Sequence, residues 1–91
     1  MLKKILVATD ASKYSRRALK TALEFARKFN TLIKKKMQGK PANIILKEAE
    51  NENFDFIVMG SHGYGAIAGS LLGSVSQHVL HKAKCSVLIV K

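Results

Sequence analysis

Short apolar runs recur along the chain and predict three strands, over residues 4–9, 54–59 and 87–90. A run that is apolar at nearly every position, rather than at every second one, is typical of a parallel sheet covered on both faces. A fourth, weaker strand is predicted over 31–37, where three consecutive lysines follow two apolar residues. Lysines protect the outer edge of a sheet from pairing with another chain, so this pattern favours an edge strand.

Between these runs, apolar residues recur every three or four positions, which predicts amphipathic helices. The first helix covers 13–29, and the Ser12 hydroxyl is placed to cap it. The second begins at Pro41, because proline is favoured in the first turn of a helix. The third covers 74–81. The order β-α-β-α-β-loop-α-β predicts an α/β fold with a parallel sheet and right-handed crossovers, in one domain over 1–91.

The charge balance is strongly basic and changes the list of partners to consider. Sixteen Lys and Arg against six Asp and Glu give a formal net charge of +10. Such a field attracts nucleotide phosphates, nucleic acid or acidic membranes without choosing among them, and a solvated basic surface explains it equally well. The sequence has no tryptophan and no cluster of aromatics flanked by arginine, so an RNA-binding sheet is not indicated.

The cellular compartment is suggested by the single cysteine, Cys85, which excludes an internal disulfide and fits a reducing environment. The apolar run that starts at Ile5 is far too short for a signal peptide, and no apolar stretch is long enough to span a membrane. We therefore expect a soluble cytoplasmic protein.

The stretch 60–74 carries five of the six glycines and connects a buried strand to a helix. Phosphate groups bind at such junctions, where backbone N–H groups are free and the helix dipole is positive. A P-loop is excluded because no lysine lies between Gly60 and Ser74. Glycines 63, 65 and 69 imitate a dinucleotide fingerprint only loosely, since that fingerprint follows the first strand of its fold.

The spacing of Gly60, Gly63, Gly73 and Ser74 is glycine, two residues, glycine, nine residues, glycine-serine. In this respect the chain resembles the ATP-binding members of the universal stress protein family. The resemblance extends to 5–12, to the turn at 39–42 and to 85–90, and so covers nearly the whole chain. It implies a three-layer, open twisted parallel sheet of the adenine nucleotide alpha hydrolase-like type.

The resemblance also implies roles for individual residues towards ATP, ADP or AMP. The adenine and ribose would lie against Ala8, Thr9 and Asp10, and the ribose and first phosphate against Met59 and Gly60. Phosphates would be held by backbone N–H groups and one hydroxyl, at Gly63, Gly73, Ser74 and Val75. His62 is placed to approach a phosphate, although a loop histidine is more often simply solvated, and Asp10 is a candidate ligand for Mg²⁺.

The function that this resemblance implies is an adenine-nucleotide-binding module in stress response or signalling, with a signalling partner that the sequence does not identify. It also implies a homodimer formed through residues 87–90. A slow ATP hydrolase or an autophosphorylating protein is the alternative, with Ser70, Ser74 and Ser76 as candidate acceptors. A basic nucleic-acid-binding protein is a further alternative, although we expect neither nucleic acid nor a membrane as partner. No catalytic base and no metal site are indicated, so a binding protein is favoured over an enzyme.

One departure from the family pattern concerns residues 30–31. The family's sheet has five strands in the order 3-2-1-4-5, whereas only four are visible in this sequence. The missing elements are the second strand and second helix, which would lie near Asn30 and Thr31. Either the chain lacks this pair or it is interrupted there. Because a lysine-rich edge strand over 31–37 would be a poor neighbour for the apolar first strand, we expect a break in the chain.

Overall fold

Four strands alternate with three helices in the computed structural model, which describes residues 4–10, 12–62 and 72–91. Each element lies within a few residues of its predicted position. The elements are β1 (Lys4–Thr9), α1 (Lys13–Lys28), β2 (Leu32–Gln38), α2 (Ala42–Asn51), β3 (Phe56–Gly60), α3 (Ser74–Lys82) and β4 (Ser86–Val90).

The strands form one parallel sheet in the order β2-β1-β3-β4. The two inner strands are those with the most continuous apolar runs, because an inner strand is covered most completely on both faces. Ile5, Leu6 and Val7 of β1 have no exposed surface, and neither have Ile57 and Val58 of β3. The predicted parallel α/β sheet is confirmed.

Each face of the sheet has its own apolar core, because successive strand residues point to opposite faces. α1 covers one face, and α2 and α3 cover the other, which makes the three-layer arrangement. The first core is built from Ile5, Val7, Ala18, Ala22 and Val58. The second contains Leu6, Met37, Ile45, Ile57 and Val79 among others. No helix among the described residues is long and apolar enough to cross a membrane.

The predicted break of the chain at residues 30–31 is wrong. α1 ends with Asn30 in the left-handed conformation at φ +52°, and the Thr31 N–H donates to the Ala26 carbonyl at 2.9 Å. From there the chain enters β2, which pairs directly with β1 from Lys4 opposite Leu32 to Thr9 opposite Gln38. β2 is therefore an edge strand, as predicted, but it is also the immediate neighbour of β1.

A β-bulge in β2 makes this pairing workable. The register shifts by one residue opposite Ile5 and Leu6, which leaves Lys34 as the extra residue. The shift lets Ile33 pack in the core under α1 and Met37 in the core under α2 and α3. A regular strand would place these two residues, four apart, on the same face. The bulge thus explains how a strand with three lysines contributes to both cores.

Candidate functional site

The carboxyl ends of β1 and β3 lie side by side at one edge of the sheet, with Ala8 opposite Met59. The chain leaves β1 for α1 on one face and leaves β3 towards α3 on the other. Neighbouring parallel strands whose connections depart to opposite faces form a topological switch point, and the crevice there is where open α/β sheets bind ligands. Ala8, Thr9, Asp10, Met59 and Gly60 all lie at this crevice.

Asp10 is fixed to the first turn of α1 by a ring of hydrogen bonds. Its Oδ1 accepts from the Ser12 N–H and from the Ser15 hydroxyl, both at 2.8 Å. The Asp10 N–H in turn donates to the Ser15 Oγ at 2.7 Å, while the Ser12 Oγ caps α1 by accepting from the Ser15 N–H at 3.2 Å. The predicted cap is confirmed, and the same residues orient the Asp10 carboxylate at the mouth of the crevice.

The last residue of β3, Gly60, is buried where α1 begins. A Cβ atom added to it would lie 2.8 Å from the Tyr14 carbonyl carbon, closer than packed atoms allow. From the other face of the sheet, the Ser76 hydroxyl donates to the Gly60 carbonyl at 2.6 Å. Gly60 thus holds the first turns of α1 and α3 close to the end of β3. Ser76 is buried and engaged in this contact, which makes it a poor phosphoryl acceptor.

The amino end of α3 faces the same edge of the sheet. Gly73 is the N-cap residue, and its own N–H donates to the Ser61 carbonyl at 2.7 Å. No side chain among the described residues caps this helix, and no acidic residue lies in its first turn. Ser74 and Val75 are exposed. The first N–H groups of a helix have no partner within it and carry the positive end of its dipole, so Ser74 and Val75 present anion-binding donors.

His62 lies at the base of the glycine-rich connection. Its ring Nδ1 is 3.0 Å from the Ser61 Oγ, its ring centroid is 5.1 Å from that of Tyr14, and its carbonyl accepts from the Ser12 hydroxyl at 3.4 Å. These contacts hold His62 between the start of α1 and the connection to α3. Gly63 and the candidate acceptor Ser70 lie outside the described residues.

A cavity of about 340 Å³ adjoins the crevice on the face that α1 covers. It shares Thr9 and Asp10 with the crevice and is also lined by Ser15, Arg16, Leu19, Lys36 and Gln38. The sequence interpretation missed Arg16, Lys36 and Gln38. Arg16 reaches the cavity from the first turns of α1, close to Asp10 in the chain. Lys36 and Gln38 reach it only through the pairing of β2 with β1, which was not predicted, and no local signal marks them.

Other side chains that could bind a metal or react chemically lie away from this edge. His78 and His81 are exposed on α3, and no group of three metal-ligating side chains occurs among the described residues. Cys85 packs against the second core and lines a separate cavity of about 250 Å³ at the opposite end of the sheet. Burial raises the pKa of the Cys85 thiol above its usual value. Cys85 therefore has a packing role in the second core.

Fold and site together define a three-layer α/β protein with a ligand crevice at the switch point of its sheet. The sequence model of the universal stress protein family matches residues 1–34 and 29–91. The chain belongs to the universal stress protein family. The two matched pieces meet at the end of α1 and the start of β2, which is where the sequence departs from the family pattern.

Similar proteins that are themselves universal stress proteins agree with the family assignment. The chain is 49% identical over 55 residues to a universal stress protein of Thermus aquaticus, covering 60% of this chain and 40% of that protein. It is 41% identical over 75 residues to universal stress protein MJ0531 of Methanocaldococcus jannaschii, covering 81% of this chain and 44% of that one. The matched stretches therefore span less than half the length of these relatives.

Solved structures resemble the whole chain. A universal stress protein in complex with cAMP has a TM-score of 0.78 and 26% identity, covering 98% of this chain and 96% of that one. A universal stress protein from Archaeoglobus fulgidus has a TM-score of 0.76 and 26% identity, covering 98% of this chain and 44% of that one. The α/β architecture is thus shared with members of the family.

Proposed function

We propose that the chain binds an adenine nucleotide, ATP among them, in the crevice between the ends of β1 and β3, as a module in stress response or signalling. The observation that carries this proposal is the switch point itself, with Ala8 and Met59 paired beneath it. The ligand would lie over Ala8, Thr9, Asp10, Met59 and Gly60, with His62 and Gly63 towards the phosphates. The relative in complex with cAMP supports the class of ligand.

The phosphates would bind at the amino end of α3. Ser74 and Val75 offer backbone N–H groups there, and Ser74 adds a hydroxyl. Gly73 contributes differently from the family pattern, because its N–H already donates to the Ser61 carbonyl at 2.7 Å. Its role is to place the first turn of α3. Asp10, oriented by Ser12 and Ser15, is the candidate ligand for a Mg²⁺ ion that accompanies the phosphates.

The base end of the site differs from the family pattern. We propose that the whole chain is one domain from which the family's second strand and helix are absent. As a result, β2 lies directly beside β1 in the sheet. The phosphates then supply most of the affinity, and the base is held mainly by apolar contact with Ala8 and Met59.

The test is calorimetry with ATP on two variants of Ser74, together with mass spectrometry of nucleotide released from the denatured protein. Ser74→Pro removes one N–H at the first position of α3, where proline is tolerated. Gly73, at φ −69° and ψ 161°, already has the conformation that precedes a proline. A hydrogen bond to a charged group is worth roughly 1.5–3 kcal/mol, so ATP affinity should fall by about tenfold or more.

The matched control is Ser74→Ala, which removes the hydroxyl and keeps the N–H, and so separates the two contributions. Unchanged ATP affinity in a folded Ser74→Pro protein would show that the phosphates do not bind at α3. Absence of any heat with ATP in the unmodified protein, and of any released nucleotide, would overturn the proposed function as a whole.

The assembly proposed for the chain is a homodimer through β4. β4 is an edge strand of the described sheet, and residues 87–90 are half-buried rather than fully covered. An apolar edge strand tends to pair with another chain. Two copies related by a two-fold axis would pair antiparallel, so that each satisfies the other's backbone groups.

The compartment proposed for the protein is the cytoplasm, because a single cysteine fits a reducing environment.

A further inference from the structure

The positive charge of this protein is concentrated in less than a third of its length. Residues 13–40 contain ten Lys and Arg and one acidic residue, Glu24, a net charge of +9 out of the total of +10. The other 63 residues contain six basic and five acidic residues and are nearly neutral. In the sequence, these ten lysines and arginines are scattered over residues 13–40 and do not form one continuous basic segment.

In the fold, residues 13–40 are α1, β2 and the turns that flank β2. α1 lies on one face of the sheet, and β2 forms the edge beside it. The opposite face is covered by α2 and α3, where Lys47 and Lys82 are accompanied by Glu48 and Glu50. The protein therefore has one strongly basic side and one nearly neutral side.

The solvent side of α1 carries this charge in a regular row. Lys13, Arg16, Lys20, Leu23 and Arg27 follow one another at spacings of three, four, three and four residues, and all five are exposed. Residues at this spacing line one face of a helix. At 1.5 Å per residue the row is about 21 Å long. We call these five residues the α1 ridge.

The α1 ridge is rigid and accessible. Ala18 and Ala22 on the reverse of the helix have no exposed surface and fix α1 against the sheet. α1 is the only helix on its face in the described part of the chain, so the ridge projects from that face without a neighbouring helix beside it.

The sequence alone did not favour nucleic acid as a partner, but the concentration of charge on one side of the fold changes that expectation. We propose that the α1 ridge is a binding surface for the phosphodiester backbone of nucleic acid. The backbone is a polyanion with regularly spaced charges, and a row of fixed cations neutralises several phosphates at once and releases their counterions. The guanidinium groups of Arg16 and Arg27 also suit phosphate geometry. A projecting helix fits a groove of a duplex. Contacts to phosphates fix the position of a protein on a duplex and carry no sequence information themselves, so the proposed binding does not depend on a particular base sequence.

A membrane surface is the less favoured polyanion. Helices that lie on membranes bury an apolar face among the lipids, whereas the apolar face of α1 is already packed against the sheet. On the ridge only Leu23, 56% exposed, is apolar. Arg16 also lines the cavity beside the crevice. Lys20 and Arg27 lie in the later turns of α1, beyond the residues that line the crevice and this cavity, so variants of these two residues test the ridge separately from nucleotide binding.

The test is fluorescence anisotropy with a labelled 20-base-pair DNA duplex, measured at several salt concentrations. The ridge variant combines Lys20→Glu with Arg27→Glu. The control variant combines Lys47→Glu with Lys82→Glu on the opposite side, and both variants have a formal net charge of +6. We expect the ridge variant to bind at least about tenfold more weakly at low salt. Its slope of log K against log salt should fall by roughly 1.8, which is about 0.9 for each phosphate that the variant no longer neutralises. The control variant should change both quantities much less.

Circular dichroism and thermal melting check that each variant is folded. If charge reversal prevents folding, Lys20→Gln with Arg27→Gln provides the same comparison. The same measurement with duplex RNA and with single strands identifies the nucleic acid that the protein prefers. If the ridge variant binds any of these nucleic acids more weakly and the control variant does not, the proposal is supported. Equal weakening by the ridge and control variants, absence of nucleic-acid binding, or binding only to vesicles that contain anionic lipid would overturn it.

Discussion

Gly60 and Tyr14 approach so closely that no side chain fits between them: a Cβ on Gly60 would lie 2.8 Å from the Tyr14 carbonyl carbon and 2.9 Å from its Cβ. Both close atoms belong to rigid parts of Tyr14, its backbone and its Cβ, which cannot turn aside. The family motif begins at this glycine, which is therefore needed for packing at the end of β3 whether or not it also borders a ligand.

The first prediction concerns this contact. Gly60→Ala should lower the free energy of unfolding by about 1–3 kcal/mol, because α1 must move away from the end of β3 to admit the methyl group. Urea denaturation measures the change. The matched control is Gly39→Asn, since Gly39 has φ +66° with open space around it and asparagine tolerates that conformation. A stable Gly60→Ala protein would mean that the contact relaxes without cost.

Much of this fold could be predicted from the sequence because the local signals agree. The apolar run 5–7 required a strand covered on both faces, and Ser12 marked the start of α1 at the residue where its hydroxyl accepts from the Ser15 N–H. The alternation of strands and helices predicted parallel strands, and the observed parallel pairing of β1 with β3 aligns their carboxyl ends at one edge. These inferences need only the order of elements and the direction of chains.

The position of β2 could not be predicted in the same way. Its place beside β1 depends on the bulge at Lys34, which moves Met37 to the other face of the sheet, and no short-range pattern marks a bulge. The cavity residues Lys36 and Gln38 were missed for the same reason. The basic side of the molecule was missed because α1 and β2 become neighbours only when the sheet forms.

The second prediction concerns the pH dependence at Cys85. Burial, the largest cause, raises the pKa of its thiol in the folded protein; a backbone hydrogen bond opposes this shift, and the charge of Asp55 adds to it. The folded state therefore favours the protonated thiol, and this contribution to stability is present below the pKa of the unfolded chain and is lost as pH rises through the folded value. Alkylation should be slower in the native protein than in urea at the same pH, and its rate should keep rising at higher pH. Equal rates and equal profiles in both states would contradict the prediction.

The third prediction concerns the proposed dimer. Leu88→Lys places a charge in β4 and should shift the protein towards monomer and lower its melting temperature, because a charge at a pairing edge opposes association. Light scattering at tens of micromolar reports the mass. Leu32→Lys is the control, since it makes the same change in the other edge strand, at a residue that is 60% exposed, and should leave the mass unchanged. A monomeric unmodified protein, or a dimer that Leu32→Lys disrupts, would rule out assembly through β4.

The last prediction concerns selectivity for the base. At the base end of the crevice, the polar groups of β1 and β2 are already paired with one another. The Gly39 N–H donates to the Thr9 carbonyl at 2.8 Å, and the Thr9 hydroxyl donates to the Met37 carbonyl at 3.4 Å. These groups are therefore engaged in the sheet rather than offered to a base edge.

Sites that bind a substrate group by dedicated hydrogen bonds reject analogues strongly, whereas apolar contact alone discriminates weakly. We expect ATP and GTP to bind within about tenfold of each other and AMP to bind more weakly than either, measured by competition against a fluorescent nucleotide. Inorganic tripolyphosphate is the control, because it should compete if the phosphates supply most of the affinity. A preference for ATP over GTP of about a hundredfold, nearly 3 kcal/mol, would show that backbone or side-chain groups read the base.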